Sequence, residues 1–346
     1  MKIFIPVVGQ VINIGDTLHR KILISWLRQK STQLHVYVGN TPQSFIDALE
    51  LKEEDVVYKS ISKWLLAILF KDFLRRKLFI FNPGEITFSN SRLVKELALF
   101  PFYLYIKVTG GKILRIGVAA QSDIKIAQKW LWNGLINFSN NIYWRTIKSA
   151  KLFKKGEIIP DLAFYKIDDS IDYTKKTVLA ISMRGDRQLP SEKWFDAVKE
   201  FQQRNNLQIA VVSQVKIDND RSQEIAAKLD GDCYIWGNDS DHNQQEDIVN
   251  EIYRKSKIAI SDRLHVLIAA YTKGVIPTDI SVVESNKVQD HFDVLPIEKV
   301  SVFESKLSEN DIIEFLQKKL DSGFDETKMN DAFNRLNKTK ELLPLK

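Results

Sequence analysis

Short apolar runs and amphipathic stretches alternate along nearly the whole chain, and this pattern constrains its fold more than any other feature. The runs are Ile3–Val8, Leu34–Val38, Leu78–Phe81, Ile113–Val118 and Asn141–Tyr143, then Val178–Met183, Gln208–Val212, Tyr234–Trp236, Lys257–Ile260 and Val275–Ile280. Helical patterns lie between them at Thr17–Gln29, Ser122–Leu135, Glu192–Arg204, Arg221–Leu229, Gln245–Arg254 and Leu264–Lys273. Two more, Glu309–Leu320 and Lys328–Leu336, close the chain. Strands joined by helices of this length pair in parallel. A chain of 346 residues favours two domains. The polar stretch Tyr165–Lys176, with Asp168-Asp169-Ser170 and Lys175-Lys176, has the composition of a linker. The expected architecture is α/β, with two Rossmann-like, doubly wound domains facing a cleft. The expected bounds are 1–170 for a basic N-terminal domain, 171–322 for a C-terminal domain and 323–346 for a terminal helix.

Composition removes several classes of function. The single cysteine, Cys233, excludes an intramolecular disulfide and a cysteine-based zinc site, and it fits a reducing cytosol. It opens the apolar run Cys233–Trp236 and is expected to be a small core residue. Met1–Val8 does not read as a secretory signal. No stretch reaches the ~18 apolar residues of a membrane span. Trp64–Phe70 is stopped by Lys71 and Asp72, and Leu97–Ile106 contains Pro101.

Residues 1–172 carry 25 Lys and Arg against 15 Asp and Glu, whereas residues 173–346 carry 25 against 29. A basic first half calls for an anionic partner. No nucleic-acid recognition motif accompanies the charge, so nucleic acid is not expected. A membrane surface or a lipid-linked anionic substrate fits better. Trp64–Lys77 mixes aromatic, aliphatic and basic residues, which suits an interfacial helix or a buried helix with a basic end.

The residues with most chemical content lie at predicted strand ends. In Ser261-Asp262-Arg263-Leu264-His265 a strand passes directly into an apolar helix. Ligands of open α/β sheets bind at such carboxyl ends, where helix N-termini attract anions. Arg263 suits a phosphate or carboxylate, and His265 can move a proton near neutral pH. Locally, Arg263 also reads as a helix-start ion-pair residue and His265 as a core histidine. Ser182-Met183-Arg184-Gly185-Asp186-Arg187 repeats the arrangement on another strand. Two arginines at neighbouring strand ends could clamp a small polyanion, or Arg184, Asp186 and Arg187 could form a surface ion-pair cluster. After the first strand, Asn13-Ile14-Gly15-Asp16 reads as a tight turn at Gly15, with Asp16 capping a helix from Thr17. His19 could face the cleft, and the other histidines show no metal spacing. No serine-hydrolase or zinc-protease motif occurs.

Taken in order, these motifs resemble the polysaccharide pyruvyl transferase family. The matching residues are Asn13-x-Gly15-Asp16, Gly111-Lys112 before a strand ending Gly117-Val118, Pro160-Asp161-Leu162-Ala163-Phe164, Ser182-x-Arg184-x-Asp186, and Ser261-Asp262-Arg263-Leu264-His265 with Ala269, Gly274 and Pro277. The resemblance implies a GT-B-like protein that moves a pyruvyl group from phosphoenolpyruvate onto two hydroxyls of a surface-polysaccharide precursor, forming a cyclic ketal. Arg184 and Arg263 would hold the donor, with His265 as general acid/base. Asn13, Gly15, Asp16, Asp186, Ser261 and Leu264 would line the substrates. Neither a metal nor a cofactor beyond phosphoenolpyruvate is implied. The acceptor would be a sugar or a lipid-linked oligosaccharide, and the protein would be cytoplasmic or peripheral at the inner membrane face. Two stretches depart from the family pattern, Asn82-Pro83-Gly84-Glu85 and Trp144-Arg145-Thr146 with Ser149, and both bear on the acceptor. Two other readings stay open: a GT-B glycosyltransferase using a nucleotide sugar, and a non-catalytic relative that binds glycan or membrane.

Overall fold

The computed structural model describes residues 2–28, 33–73, 76–120, 124–165, 171–297 and 299–344. The chain divides into two compact units. Unit 1 comprises Met1–Val11, Asp16–Leu162 and Leu336–Lys346, and unit 2 comprises Ile12–Gly15 and Ala163–Arg335.

Unit 1 opens with β1 (Lys2–Pro6), α1 (Ile14–Arg28), β2 (Leu34–Tyr37), α2 (Gln43–Asp47), β3 (Val56–Tyr58), α3 (Ile61–Phe70) and β4 (Lys77–Ile80). It continues with β5 (Gly84–Ile86), α4 (Asn90–Val108), β6 (Lys112–Ala120), α5 (Ile126–Asn137), β7 (Asn141–Trp144), α6 (Ile147–Phe153) and β8 (Glu157–Ile158). The strands run in parallel in the order β3-β2-β1-β4-β6-β7-β8, with β5 beside β6. Central strands buried on both faces read as continuous apolar runs, as Ile3-Phe4-Ile5 does. Trp64 and Ile68 of α3 and Tyr103 and Ile106 of α4 pack on Phe4, Phe79 and Ile113. Trp132 and Ile136 of α5 pack on Val118, Ile142 and Trp144.

Unit 2 holds β9 (Val178–Ser182), α7 (Glu192–Arg204), β10 (Gln208–Val212), α8 (Asn219–Leu229), β11 (Asp232–Tyr234), α9 (His242–Lys255) and β12 (Ser256–Ser261). After these come α10 (Leu264–Tyr271), β13 (Ile276–Ser281), α11 (Lys287–Phe292), β14 (Ser301–Phe303), α12 (Glu309–Ser322) and α13 (Glu326–Leu342), of which the part from Leu336 onward belongs to unit 1. Its parallel sheet has the order β11-β10-β9-β12-β13-β14. In both units the first strand lies in the middle and the strand order reverses beside it, between β1 and β4 and between β9 and β12. Such switch points create ligand crevices at the carboxyl ends of the strands.

Several details differ from the sequence expectation. The boundary falls at Leu162/Ala163 rather than 170/171, because Phe164 packs edge-on against Tyr271 and Phe292 within unit 2, at ring distances of 5.8 and 5.4 Å. Asp168, Asp169 and Ser170 lie outside the described residues, as do Gln29 and Ser122, the predicted ends of two helices, and Leu74 and Arg75 of the proposed interfacial segment. Lys176 is no linker residue. It is buried, and its ammonium donates to the carbonyls of Tyr253, Arg254, Ser256 and Lys273 at 2.8–3.3 Å. Cys233 is exposed, since it lies on the edge strand β11 rather than in the core. The first helix starts at Ile14, with Asn13 Oδ1 accepting from Gly15 N–H at 2.9 Å; Asp16 therefore sits inside the first turn. Helix α4 continues through Pro101, whose ring is exposed. Strands β3, β5, β8 and β14 escape sequence detection because two or three residues give no period.

Candidate functional site

In unit 2 the charged residues gather where β9 and β12 end. Ser182 and Ser261 are register partners, and Ser261 Oγ donates to the Ser182 carbonyl while accepting from Arg263 N–H at 3.0 Å. This locks the turn that delivers Arg263. The Arg263 guanidinium grips Asp218, which follows β10, through both Nε and Nη2, the latter at 2.6 Å. Asp218 is fully buried and also accepts from Gly185 N–H at 2.8 Å. The N–H groups of Arg263 Nη1 make no hydrogen bond among the described residues.

Arg184 pairs bidentately with Asp186 at 2.8 and 2.6 Å, and this pair is part-exposed. Arg184 holds the Asp186 carboxyl down at about 2, with a smaller pull from Arg263. Asp186 and Asp218 both lie within electrostatic reach of Arg184, so the two predicted donor arginines belong to one charge cluster. Arg187 pairs with Asp262 at 3.0 Å, and Asp262 Oδ1 accepts from Arg184 N–H at 2.9 Å. Burial pushes the Asp262 carboxyl up against the pull of Arg187. Arg221 closes the loop from below by donating to the carbonyls of Arg184 and Arg187 at 3.3 and 3.0 Å.

His265 lies half-buried in the first turn of α10. A Cβ added at Gly15 would stand 2.6 Å from His265 Cβ and 2.8 Å from its Nδ1. The absence of a side chain at Gly15 therefore makes room for the imidazole, and no left-handed turn is involved. Residues 12–15 are tied to unit 2 by an Asn13–Val215 bridge and by backbone hydrogen bonds from Ile14 to Gln214 and from Lys216 to Ile12. Ser261 and Leu264, expected at the substrate, are 0% and 6% exposed. What they contribute is the shape of the turn.

Unit 1 builds a second polar cluster at its own strand ends. Asp16 accepts from Gln10 N–H at 2.6 Å and faces Arg20 at 3.4 Å. Buried Arg20 also donates to Asn82 Oδ1 at 2.9 Å, to the Val8 carbonyl at 2.8 Å and to the Asp16 carbonyl, and it meets His19 Nε2 at 3.1 Å. Burial lowers the Arg20 pKa, Asp16 opposes this, and the nearby charge of Arg145 adds to it. Arg145, just after β7, pairs with Asp161 at 2.6 Å, and both are buried.

Sequence reasoning passed over Arg20, Asp218, Asp262 as a pairing group, and the Arg145–Asp161 pair. Arg145 and Asp262 directly follow strands and Asp218 lies in the loop after β10, so the strand-end rule applied to every strand would have found these three. Among the described residues, no group of three or more His, Cys, Asp or Glu side chains has the arrangement to hold a metal ion.

With this geometry in hand, comparison with known proteins gives the class. The polysaccharide pyruvyl transferase family matches residues 13–275, and the chain belongs to it. That match covers both the Asn13-x-Gly15-Asp16 motif and the whole β12–α10 turn with Arg263 and His265. Among curated proteins none matches the chain. Among solved structures, UDP-GlcNAc 2-epimerase from Neisseria meningitidis bound to UDP-GlcNAc is similar with a TM-score of 0.57 at 11% identity, covering 97% of this chain and 94% of that one. MnaA of S. aureus with UDP gives 0.57 at 13%, covering 96% and 91%. MurG of Acinetobacter baumannii gives 0.50 at 10%, covering 99% of each chain. At these identities the likeness concerns the fold, which is α/β, two-domain and GT-B-like.

Proposed function

We propose that the protein transfers the pyruvyl group of phosphoenolpyruvate to a sugar of a surface-polysaccharide precursor as a cyclic ketal. The observation that carries this reading is the family match over residues 13–275. Arg184 and the free Nη1 edge of Arg263 would hold the donor's phosphate and carboxylate beside His265. A first sugar hydroxyl attacks C2 of the enol phosphate, and the proton it loses is delivered to the methylene carbon, which becomes a methyl group. The C2–O bond to phosphate breaks and inorganic phosphate leaves. A second hydroxyl then closes on C2, and its proton is carried away with the phosphate.

His265 would move these protons, a role that contributes about 10²–10⁴-fold. The arginines would stabilise charge as phosphate departs. Asp218 would position Arg263 and Gly15 would position His265. The acceptor is assigned to the strand-end cluster of unit 1, where Asp16, Arg20 and Asn82 offer donors and acceptors for hydroxyl groups. The arginines supply the positive charge and the histidine the proton, so the steps call for no metal or organic cofactor. A lipid-linked acceptor would set the protein in the cytoplasm, at the inner face of the membrane.

The test is calorimetric titration of phosphoenolpyruvate into the wild type and Arg184→Ala, with a nucleotide sugar as the comparison ligand. Arg184 is the informative position because it is part-exposed, whereas Arg263→Ala would strand the buried Asp218. Saturable phosphoenolpyruvate binding, weakened about 10- to 100-fold in Arg184→Ala, is expected for a charge-assisted contact. Binding of the nucleotide sugar alone would replace this reading with glycosyl transfer. Binding of neither would favour a non-catalytic relative.

A further inference from the structure

Unit 1 carries an apolar surface that its core does not use. Helices α3, α4 and α5 form one layer: Tyr105 of α4 donates to the Leu69 carbonyl of α3 at 2.9 Å, and Gln128 of α5 donates to Asn90 of α4. Their inner faces are spent on the core, as Trp64, Tyr103 and Trp132 show. The other side of α4 repeats Val94, Leu97, Pro101, Leu104 and Val108, a spacing of three and four that keeps all five on one face. Each of them is exposed, Val108 by 78%. The neighbouring helices add Phe70 at 67% and Trp130 at 80%. Of the nineteen large hydrophobic residues exposed among the described residues, ten lie between Ile61 and Trp130. A monomer rarely leaves so large an apolar cluster in water without a use for it.

The charges on the same helices are one-sided. They carry Lys63, Arg92, Lys95, Lys107 and Lys129 against one carboxylate, Glu96. Glu96 is 2% exposed and pairs with Arg92 and Arg115. The outer faces thus present apolar and cationic groups and no exposed carboxylate. A second copy docking symmetrically on this patch would bring its cations against their own equivalents. An anionic bilayer complements both features, since acyl chains take the apolar stripe and phosphate headgroups the cations.

We propose that α3, α4 and α5 form a docking face for an anionic lipid surface. Attachment is peripheral, because no helix among the described residues is long and apolar enough to cross a membrane. Phe70 and Trp130 act as the interfacial anchors. The inference rests on this surface alone and is independent of the donor chemistry.

The test is co-sedimentation of the full chain with vesicles of phosphatidylcholine, with and without phosphatidylglycerol, at low and high salt. The expected result is binding to the phosphatidylglycerol vesicles only, weakened by salt. The exposed double variant Phe70→Ser/Trp130→Ser should lose most of this binding. Neutralising Lys63, Lys95 and Lys129 to Gln should weaken it about a hundredfold, at the usual contribution of a cation near a charged surface. Absence of binding to either vesicle, binding unchanged in both variants, or concentration-dependent dimerisation abolished by Phe70→Ser/Trp130→Ser would overturn the proposal. Phosphoenolpyruvate titration of the same variants reports on the donor site separately, so the two readings can fail independently.

Discussion

The sheets of units 1 and 2 share the order of their first four parallel strands, β3-β2-β1-β4 and β11-β10-β9-β12, and gather charge at the strand ends, yet the buried titratable groups inside them differ in sign. In unit 2 that group is Asp279 on β13, fully buried and hydrogen-bonded by Ser281. Burial pushes its carboxyl up to about 7. In unit 1 it is His35 on β2, stacked on Phe4 at 4.6 Å, with Nδ1 and the Tyr58 hydroxyl 2.9 Å apart. Burial, aided by Lys71 and Lys2, pushes this imidazole down to about 4. Desolvation disfavours the charged form of either group, so each is shifted toward its neutral form. Charge survives in the interior where it is matched, as Asp218 is by Arg263, or ringed by carbonyls, as the Lys176 ammonium is. The surfaces differ as well: unit 1 exposes the apolar and cationic helices α3–α5, while unit 2 lies in the more acidic half of the chain.

The matched pair should give the largest effect. Asp218→Ala leaves the Arg263 guanidinium and Gly185 N–H without their partner in a nearly dry site. Removing one member of a buried ion pair costs about 3–5 kcal/mol. Denaturant unfolding of the variant should show a loss of that size, together with loss of phosphoenolpyruvate binding if Arg263 holds the donor. A loss below about 1 kcal/mol would mean that the pair behaves like an exposed one, and the contrast between matched and unmatched burial would fall.

The two neutral groups should then pull stability in opposite directions as pH changes. The folded-state pKa of Asp279 lies above the unfolded value near 3.8, so its contribution is complete below that value. It is lost as pH rises toward 7, and the shift corresponds to at most about 4 kcal/mol. The folded-state pKa of His35 lies below 6.5, so its contribution is complete above pH 6.5 and lost as pH falls toward 4, by at most about 3 kcal/mol. Across pH 4–6.5 the two slopes oppose and largely offset each other in the wild type, so thermal unfolding there should be nearly flat and each variant should unmask the other group's slope. Asp279→Asn should leave the fall toward acid, and His35→Gln the fall toward neutral pH. Unchanged profiles in both variants would sink the assignment of these groups.

A paired glycine substitution comes next in size. A Cβ at Gly15 would meet His265 at 2.6 Å, and a Cβ at Gly9 would meet Asp16 Oδ2 at 2.5 Å and Arg20 Nη2 at 2.6 Å. Overpacking of this kind costs about 1–3 kcal/mol. Gly15→Ala should in addition suppress turnover strongly, because the side chain it displaces is the proposed proton carrier, while phosphoenolpyruvate binding persists. Gly9→Ala should spare the donor and weaken the acceptor. If Gly15→Ala turns over like the wild type, His265 has no role in proton transfer.

Much of this arrangement was legible in the sequence. The βαβ rhythm gave the parallel sheets, because doubly covered strands read as unbroken apolar runs, and the strand-to-helix turn at Ser261–His265 led to one of the two switch points. What escaped detection depended on contacts distant in sequence. Asp218 lies 45 residues from the arginine it holds. Asp161 stood out only as one residue of the Pro160–Phe164 motif, because nothing local shows that it faces Arg145. Gly15 looked like a turn residue, since only the folded chain brings His265 against it. Helix α4 was obscured by Pro101, and its two apolar faces, one buried and one exposed, cancel the periodicity that would have revealed it.

The smallest expected change in stability sharpens the comparison within unit 2 itself. Asp186 pairs with Arg184 much as Asp218 pairs with Arg263, but both members of the first pair are part-exposed. Water already screens such a pair, and its removal typically costs under about 1 kcal/mol. Asp186→Ala should therefore unfold close to the wild type. Its effect on the ligand should run the other way, since the carboxylate occupies the same fork of Arg184 that the donor's anionic group would take. Calorimetry should show phosphoenolpyruvate binding no weaker, and tighter if the fork is the contact. A loss of tenfold or more in affinity would give Asp186 the positioning role assigned here to Asp218, and both carboxylates would then belong to the donor site.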